Sequence, residues 1–488
     1  MTATAGSGIA GSGIAGTGVA GTGLAGSGLA GAEPTQVVPL IGRRDELSWL
    51  DRALARVRGG APATVLLGGN AGVGKSRLVR EFLGTARRTA RVLTGRCPEL
   101  GPVGLPFAPF TDMLRQLSRD PAGPVLPDAG EVLRLLPGRT PPGECPDPKG
   151  ARARLFVQML TMLEQLARQR PVVLVVEDAH WAGESTMELL SFLVDNQDAM
   201  AGVLIIVTYR SDELHRGHPL CGLLSGLGRF GWVMRTELPG LSRGESAELL
   251  GLLLGGEPPA RLADGIHRRA DGNPLLIGQL ACCARDRTGG PRDLMLGAVY
   301  RLPEDTQDAL RAVSVGGQRT GQALLTAVTG MGAMALTTAL RPAVAAGVLR
   351  AGNGYFAFQH SLTGEALHQD LLPEEHTRMH HRFAGALQAD PSLALPGRAA
   401  FEQAEHWHHA HDPAGELTGA WRAAAEAGRL LACAEQLALL TRVLELWSCV
   451  PSAGDLTGAA HGDVLRQAAG AAHAAGHLHL SSALAQGC

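Results

Sequence analysis

The feature that most constrains the fold is a glycine-rich segment of eight residues that fits the pattern G-x-x-x-x-G-K-[ST] throughout. Its members are Gly69, Asn70, Ala71, Gly72, Val73, Gly74, Lys75 and Ser76. Residues 64–68 before it predict a short apolar strand, and residues 75–85 after it predict a helix. Glycines at such a junction let backbone N–H groups turn toward an anion at the helix N-terminus. An ordinary glycine-rich turn also fits the pattern, but the flanking strand and helix favour a nucleotide phosphate site.

The basic residues of the chain are almost all arginine, since lysine occurs only at Lys75 and Lys149. A compact ammonium in the phosphate loop suits the β- and γ-phosphates of ATP, and the hydroxyl of Ser76 suits Mg²⁺. Over the whole chain, 44 basic residues oppose 46 acidic ones, for a formal net charge of -2. This balance gives no electrostatic signature of nucleic acid or of an anionic membrane as partner.

A second candidate site follows the continuous apolar run of residues 172–176, which is typical of a buried parallel strand. Glu177 and Asp178 come directly after it. We assign Glu177 to Mg²⁺ and Asp178 to the activation of an attacking water, although the residues leave open the reverse assignment. A buried strand can also end in merely solvated acids, but the phosphate loop about 100 residues earlier favours the functional interpretation.

A third apolar run, residues 203–207, is followed by Thr208, Tyr209 and Arg210. At the end of a strand beside the acidic one, Arg210 is a candidate for contact with the γ-phosphate, and a surface capping arginine is the alternative. Strands alternate with helices over residues 37–240, which predicts a parallel α/β domain of the P-loop NTPase type. Residues 101–150 are rich in Pro and Gly and are predicted to form a surface insertion or lid, with Phe107 and Phe110 as its core anchors.

The regions around this domain differ in pattern. Residues 1–36 contain a pentapeptide repeat with two glycines in five and predict a disordered leader. Residues 241–299 predict a helical lid. Residues 300–373 predict helices and a hairpin near residues 347–358. Residues 374–488 predict Ala- and Leu-rich helix pairs of an α-solenoid, which looks incomplete at its end.

The cysteine pattern and the lengths of the apolar runs predict where in the cell the protein is located. Eight cysteines are scattered without a C-x-x-C pair, which predicts free thiols in a reducing environment. No apolar run reaches the roughly 18 residues that span a bilayer, and the N-terminal repeat lacks the pattern of a signal peptide. We therefore expect a cytoplasmic protein with no membrane partner.

Several motifs in order resemble the AAA+/STAND class of signalling ATPases, and most of all the large ATP-binding regulators of the LuxR family. The segments are LIGRRDEL at residues 40–47, the phosphate loop, VVEDAHWA at 175–182, TYRSDE at 208–213, DGNPL at 271–275 and FQHSL at 358–362. The resemblance implies that Arg43 lies near the adenine, that Pro274 packs on the base, and that His360 monitors the β-phosphate. It also implies a winged helix near residues 300–373 and a tetratricopeptide-like solenoid that receives an inducer or partner.

One departure limits the resemblance. The LuxR-type regulators end in a helix-turn-helix domain, and nothing after Glu374 resembles one. We therefore expect the ATPase and sensor portion of a transcriptional regulator, without direct DNA binding by this chain.

The expected function is a switch that binds ATP or ADP, hydrolyses ATP slowly and changes its domain packing. Three alternatives remain open. The first is a nucleotide-bound scaffold without significant turnover, and the second is an ATPase module that accompanies a nucleotide cyclase. The third is a remodelling motor, which would require self-association and an arginine finger such as Arg229.

Histidines near residue 406 form a further candidate site. His406, His408, His409 and His411 lie beside Glu405, and His406 and His409 fall on one helical face. No further ligand is positioned nearby in sequence to complete a metal site. We therefore favour structural histidines.

Overall fold

The computed structural model describes residues 39–119, 130–139, 147–283 and 291–486. The predicted disordered leader, residues 1–36, lies outside these ranges. The elements up to residue 240 alternate between helix and strand, as the apolar runs predict. They are α1 (Arg44–Arg58), β1 (Ala63–Gly68), α2 (Lys75–Ala86), β2 (Arg91–Arg96), α3 (Ala108–Arg119), α4 (Pro148–Gln169), β3 (Val172–Glu177), α5 (Glu184–Asp195), β4 (Val203–Thr208), α6 (Pro219–Leu227) and β5 (Val233–Glu237).

The five strands form one parallel sheet in the order β2-β3-β4-β1-β5. Successive strand residues point to opposite faces, and both faces are buried. Val65, Val173 and Leu204 pack with α1 and α2 on one face. Leu66 and Leu174 pack with α3 to α6 on the other. The edge strand β5 is not predicted by the apolar pattern, because its residues are half-buried or exposed and form no continuous apolar run.

Residues 101–119 and 130–139 correct the expectation of a surface insertion. Phe107 and Phe110 are buried, as expected of anchors, but the rest of the segment is also part of the main core. Helix α3 buries Met113, Leu114 and Leu117 against the sheet, and a short 3₁₀ helix, Glu131–Leu135, packs beside α4. The described part of this segment therefore packs as a layer of the α/β core, since the apolar side chains of α3 recur at helical spacing.

The middle of the chain is mainly helical, with a small antiparallel sheet. The helices are α7 (Arg243–Leu254), α8 (Ala260–Ala270), α9 (Pro274–Cys283), α10 (Pro291–Tyr300), α11 (Glu304–Val315), α12 (Gln322–Thr329), α13 (Ala333–Ala345) and α14 (Ser361–His368). The strands are β6 (Thr320–Gly321), β7 (Leu349–Gly352) and β8 (Tyr355–Phe358), in the sheet order β6-β8-β7. Strands β7 and β8 form the predicted hairpin.

The C-terminal region consists of helices that pack as consecutive neighbours. They are α15 (Pro373–Ala389), α16 (Ala399–His409), α17 (Pro413–Arg429), α18 (Cys433–Trp447), α19 (Ala453–Thr457), α20 (His461–Ala474) and α21 (Leu478–Gln486). Leu417, Leu440 and Val443 join the same apolar core as the sheet face that carries α4 and α5. At this contact the buried carboxylate of Glu435 accepts a hydrogen bond of 3.0 Å from the backbone N–H of Ser185, and the Ser185 hydroxyl donates to its second oxygen.

No single helix among the described residues has the length and hydropathy needed to cross a bilayer. Helices α12 and α13 reach the threshold only as a pair, across a bend of 106°. Their apolar residues Leu325, Leu336 and Leu340 are fully buried in the core of the middle region.

Candidate nucleotide-binding site

The predicted phosphate loop connects β1 to α2 at the carboxyl edge of the sheet. Gly69, Gly72 and Gly74 have φ angles of 139°, 79° and 107°, which residues with a side chain rarely adopt. A Cβ atom at Gly69 would lie 2.9 Å from the carbonyl oxygen of Leu238. Gly74 directly precedes the first turn of α2. The backbone thus takes the left-handed conformations that aim N–H groups at a ligand beside a helix N-terminus.

Lys75 is buried at the start of α2. Its Nζ donates hydrogen bonds to the carbonyl oxygens of Gly69 and Asn70, the latter at 3.0 Å. Burial lowers the pKa of Lys75 to about 8, and the charges of Asp178 and Asp212 oppose that shift. The ammonium therefore lies inside the loop, next to the position that a phosphate would take, and Ser76 follows it in the same helical turn.

Two residues that sequence reasoning did not assign to the site contact the loop from beyond β4. The backbone N–H of Gly69 donates to Ser211 Oγ at 2.8 Å, and that of Ala71 donates to Asp212 Oδ2 at 3.2 Å. Ser211 in turn donates to Glu237 at the end of β5. Both residues belong to the TYRSDE segment that carried part of the resemblance, which is the signal that could have pointed to them.

The acidic strand end lies across the site, at the end of β3. Asp178 has a φ of 58°, and its backbone N–H donates to Thr208 Oγ1 at 3.1 Å. Burial raises the pKa of Asp178, while the nearby guanidinium of Arg96 opposes that rise. Two carboxylates and one strained backbone conformation are thereby held at the carboxyl edge of the central strands, where α/β sheets bind ligands.

Arg96 is a third residue that sequence reasoning did not assign to the site. It ends β2, the strand next to β3, and its Nη2 and Nε lie 2.6 Å and 3.1 Å from Glu177 Oε2. Its Nε also lies 3.4 Å from Asp178 Oδ2. Register explains the contact, because Arg96 pairs with Glu177 across the two parallel strands. The single positive charge of the guanidinium is therefore shared between the two predicted catalytic carboxylates.

Arg210 lies two residues after the end of β4 and contacts the middle region of the chain. Its guanidinium donates to Ser361 Oγ at 2.8 Å and to both carboxylate oxygens of Glu365, and it also contacts Glu213. The backbone N–H of Arg210 donates to Nδ1 of the buried His180 at 3.3 Å. Burial lowers the pKa of His180 to about 3, so its ring is neutral and accepts this bond. The candidate phosphate sensor is therefore paired with helix α14.

Two other predicted residues hold the loop from outside. Arg43 is buried, and its Nη2 donates to the carbonyl oxygens of Pro239 at 2.6 Å and Val73 at 3.4 Å. Asn273 Nδ2 donates to the carbonyl oxygen of Ala71 at 2.8 Å. Pro274 follows as the first residue of α9. The two ends of the expected adenine pocket thus both contact the phosphate loop.

His360 lies just before α14, next to Ser361. Burial lowers its pKa, and the positive charge of Arg350 adds to the shift. Within the described part of the chain, no hydrogen bond joins His360 to residues 69–76. The structure therefore brings Arg43, Asn273 and the acidic strand end to the loop, and it connects His360 with the site through the neighbouring Ser361 and its partner Arg210.

The residues present fit Mg²⁺ and ATP. The loop offers turned backbone N–H groups, and a Cβ added at Gly74 would meet nothing within 4 Å. The hydroxyl of Ser76 and the carboxylates of Glu177 and Asp178 are the hard oxygen donors that Mg²⁺ prefers. Lys75 supplies the positive charge for the phosphates.

Comparisons with known proteins agree with this geometry. Residues 39–206 match the family described as AAA ATPase domain. An uncharacterized protein of Rhizobium meliloti is 26% identical over an alignment of 412 residues that covers 73% of this chain and 38% of that protein. The chain thus spans less than two fifths of that relative's length.

A solved structure has a similar fold over most of the chain. It is a Signal Transduction ATPase with Numerous Domains (STAND) protein with a tetratricopeptide repeat sensor, from Pyrococcus horikoshii. It is 13% identical with a TM-score of 0.52, and the match covers 92% of this chain and 64% of that one. The parallel sheet with flanking helices is that of a P-loop NTPase, and the helical C-terminal region fits a STAND architecture. Residues 39–206 therefore resemble an AAA ATPase domain, and the likeness to the solved structure is one of fold.

Proposed function

We propose that the chain is an ATP-dependent signalling switch that hydrolyses ATP slowly. In this proposal ATP or ADP binds at residues 69–76, and the C-terminal helices receive an inducer or protein partner. The observation that carries the proposal is the pairing of Arg210 with Ser361 and Glu365, because Arg210 directly follows a strand of the nucleotide site, two residues after its end. A change at the γ-phosphate position would thereby alter a contact to the middle region, as a switch requires.

Residue roles in this proposal follow the geometry of the site. Lys75 and the loop N–H groups bind the phosphates, and Arg43 and Pro274 lie toward the adenine. Ser76 and Glu177 would hold Mg²⁺, which supplies charge neutralisation at the phosphates when bound. Asp178 orients the attacking water, with the exchange of roles between Glu177 and Asp178 still open. Burial raises the pKa of Asp178, which makes its carboxylate a stronger proton acceptor.

The biological setting that we propose is transcription control in the manner of the LuxR-type regulators. Residues 300–373 would be the winged helix, since helices α11 to α14 surround the small sheet β6-β8-β7. Residues 241–299 would be the lid and residues 374–488 the tetratricopeptide-like sensor. DNA contact would belong to another chain or domain. Self-association would accompany nucleotide binding, as is common for this class of ATPase.

One observation favours the alternative of a nucleotide-held scaffold without turnover. Arg96 contacts Glu177 at 2.6 Å and Asp178 at 3.4 Å, so both carboxylates already have a cationic partner. If that partner persists with nucleotide bound, neither carboxylate is free to activate water. The two proposals agree on binding and differ only in hydrolysis.

The deciding experiment measures ATP and ADP binding and phosphate release on the full chain and two variants. Lys75→Ala should lose binding, and Lys149→Ala is its matched control because Lys149 is exposed and is the only other lysine. Asp178→Asn should bind ATP but lose turnover, with the exposed Asp198→Asn as control. An absence of nucleotide binding by the wild-type chain would overturn both proposals. Binding without hydrolysis would leave the scaffold.

A further inference from the structure

A cluster of histidines lies away from the nucleotide site, where α14, α15 and α16 meet. His368 ends α14, and His376 and His380 lie four residues apart on α15. Residues at this spacing share one helical face, which is how paired histidines reach one metal ion from a helix. One ring nitrogen from each of the three lies within 4.8 Å of the others.

The distance between two of these rings matches metal coordination. His380 Nε2 lies 3.4 Å from His368 Nε2. Two nitrogens bound to a tetrahedral Zn²⁺, each at about 2.0–2.1 Å, lie about 3.3 Å from each other. An N–H···N hydrogen bond is typically shorter, at about 3 Å. Little movement of His368 and His380 would therefore be needed, and His376 would approach by about 1–2 Å, given its present separation.

A second layer of side chains fixes the orientation of His380. Its other nitrogen, Nδ1, lies 2.9 Å from Nδ1 of the buried His406, which stacks on Phe383 at 4.8 Å between ring centroids. A neutral imidazole that donates from Nδ1 presents its Nε2 lone pair toward His368. Metal-bound histidines commonly use the other ring nitrogen in this way.

A fourth ring next to the cluster has a different partner. His409 Nε2 lies 2.9 Å from Glu405 Oε1, so this nitrogen is directed at the carboxylate and His409 is not counted as a ligand.

We propose that His368, His376 and His380 bind one first-row divalent transition metal ion such as Zn²⁺, with water in the fourth position. His406 is a positioning residue that holds the ring of His380. The ion would connect α14, which carries the Arg210 partners Ser361 and Glu365, to the first helix of the C-terminal array. The site is independent of whether ATP is hydrolysed.

The test uses the full chain, purified without a histidine tag and treated with EDTA. Titration with Zn²⁺, followed by calorimetry and by metal analysis after dialysis, should give one ion per chain. Co²⁺ should give the strong visible absorption of a tetrahedral site. His376→Ala should weaken Zn²⁺ binding by more than about 100-fold, and His406→Ala by about 10–100-fold.

His473→Ala is the matched control, because His473 is exposed on α20, outside the cluster. It should leave the Zn²⁺ affinity and the Co²⁺ spectrum unchanged. Circular dichroism should show that His376→Ala, which truncates a half-buried residue, keeps the helical content. The proposal is overturned if the wild-type chain binds no Zn²⁺. It is also overturned if His376→Ala binds Zn²⁺ and Co²⁺ as the wild type does, in which case the rings only bond with one another.

Discussion

The guanidinium of Arg210 holds the carboxylate of Glu365 through two hydrogen bonds, 2.8 Å between Nη2 and Oε1 and 3.3 Å between Nη1 and Oε2. The two residues are 155 positions apart in the chain. Arg210 is buried two residues after the end of β4, and Glu365 lies on α14. The nucleotide site and the middle region are thus connected by an ion pair whose guanidinium is buried.

This relationship predicts that Glu365→Ala activates the ATPase. Without the carboxylate, Arg210 is freer to turn toward the γ-phosphate, so phosphate release should rise several-fold. The free energy of unfolding should fall by about 1–3 kcal/mol, since a buried charge loses one of its partners. Steady-state turnover and urea unfolding measure the two effects. Glu374→Ala, an exposed acid at the start of α15, should change neither. Unchanged turnover in Glu365→Ala would mean that Arg210 is only a structural contact.

Arg96→Ala should destabilise the chain in a pH-dependent way. Arg96 opposes the rise in the pKa of Asp178 by stabilising the ionised carboxylate, so its contribution is present above the raised folded pKa and is lost as the pH falls through it. We expect a loss of about 2 kcal/mol at pH 8 and a smaller loss at pH 5, where a larger fraction of Asp178 is protonated and no longer attracts Arg96. Urea titrations at both pH values measure the difference. The exposed Arg88→Ala serves as control, and an equal loss at the two pH values would contradict the charge-based explanation.

ATP binding should weaken above pH 8. The pKa of Lys75 in the free loop is about 8, because burial disfavours the ammonium. Bound phosphates favour the charged form, so the bound state takes up the proton and the affinity falls as the pH rises through the free pKa. The Kd for ATP should increase by up to tenfold per pH unit between pH 8 and 10. Lys75→Arg, whose side chain stays protonated, should remove this dependence even if it binds more weakly.

The burial of Glu435 should make the chain less stable as the pH rises, although the hydrogen bonds from Ser185 oppose the effect. Burial raises the pKa of Glu435 to about 7, so the folded state holds a proton that the unfolded state releases. The stabilisation is therefore complete below about pH 4.5 and is lost as the pH rises through 7. The full effect is on the order of 3 kcal/mol. Glu435→Gln should flatten this part of the stability profile measured by urea unfolding, whereas the exposed Glu445→Gln should leave it intact.

Local patterns predicted those parts of the molecule that depend on neighbours in sequence. The phosphate loop and strands β1, β3 and β4 follow from continuous apolar runs and glycine placement, which are short-range signals. Strand β5 was missed because Val233–Glu237 lies at a sheet edge and mixes exposed with half-buried residues. The described part of residues 101–150 was taken for a surface insertion because its Pro and Gly content was given more weight than the amphipathic pattern of α3.

The candidate site was only partly predictable, since several of its contacts join residues far apart in the chain. Arg96 reaches Glu177 through strand register, over 81 positions. Ser211 reaches Gly69 over 142 positions. The histidine cluster shows the same limit. The residues near His406 looked incomplete as a metal site, because His368 and His380 come from other helices that only the fold brings together.

The shared core of the sheet and the C-terminal helices has a consequence for synthesis on the ribosome. One face of the sheet is covered in part by Leu417, Leu440 and Val443, which are translated about 200 residues after β5 is complete. An N-terminal domain usually folds as soon as it emerges from the ribosome. Here one apolar face of the sheet stays partly uncovered until α18 has left the exit tunnel. A nascent chain paused near residue 240 should therefore recruit chaperones and resist proteolysis poorly, and it should become compact only after α18 is exposed.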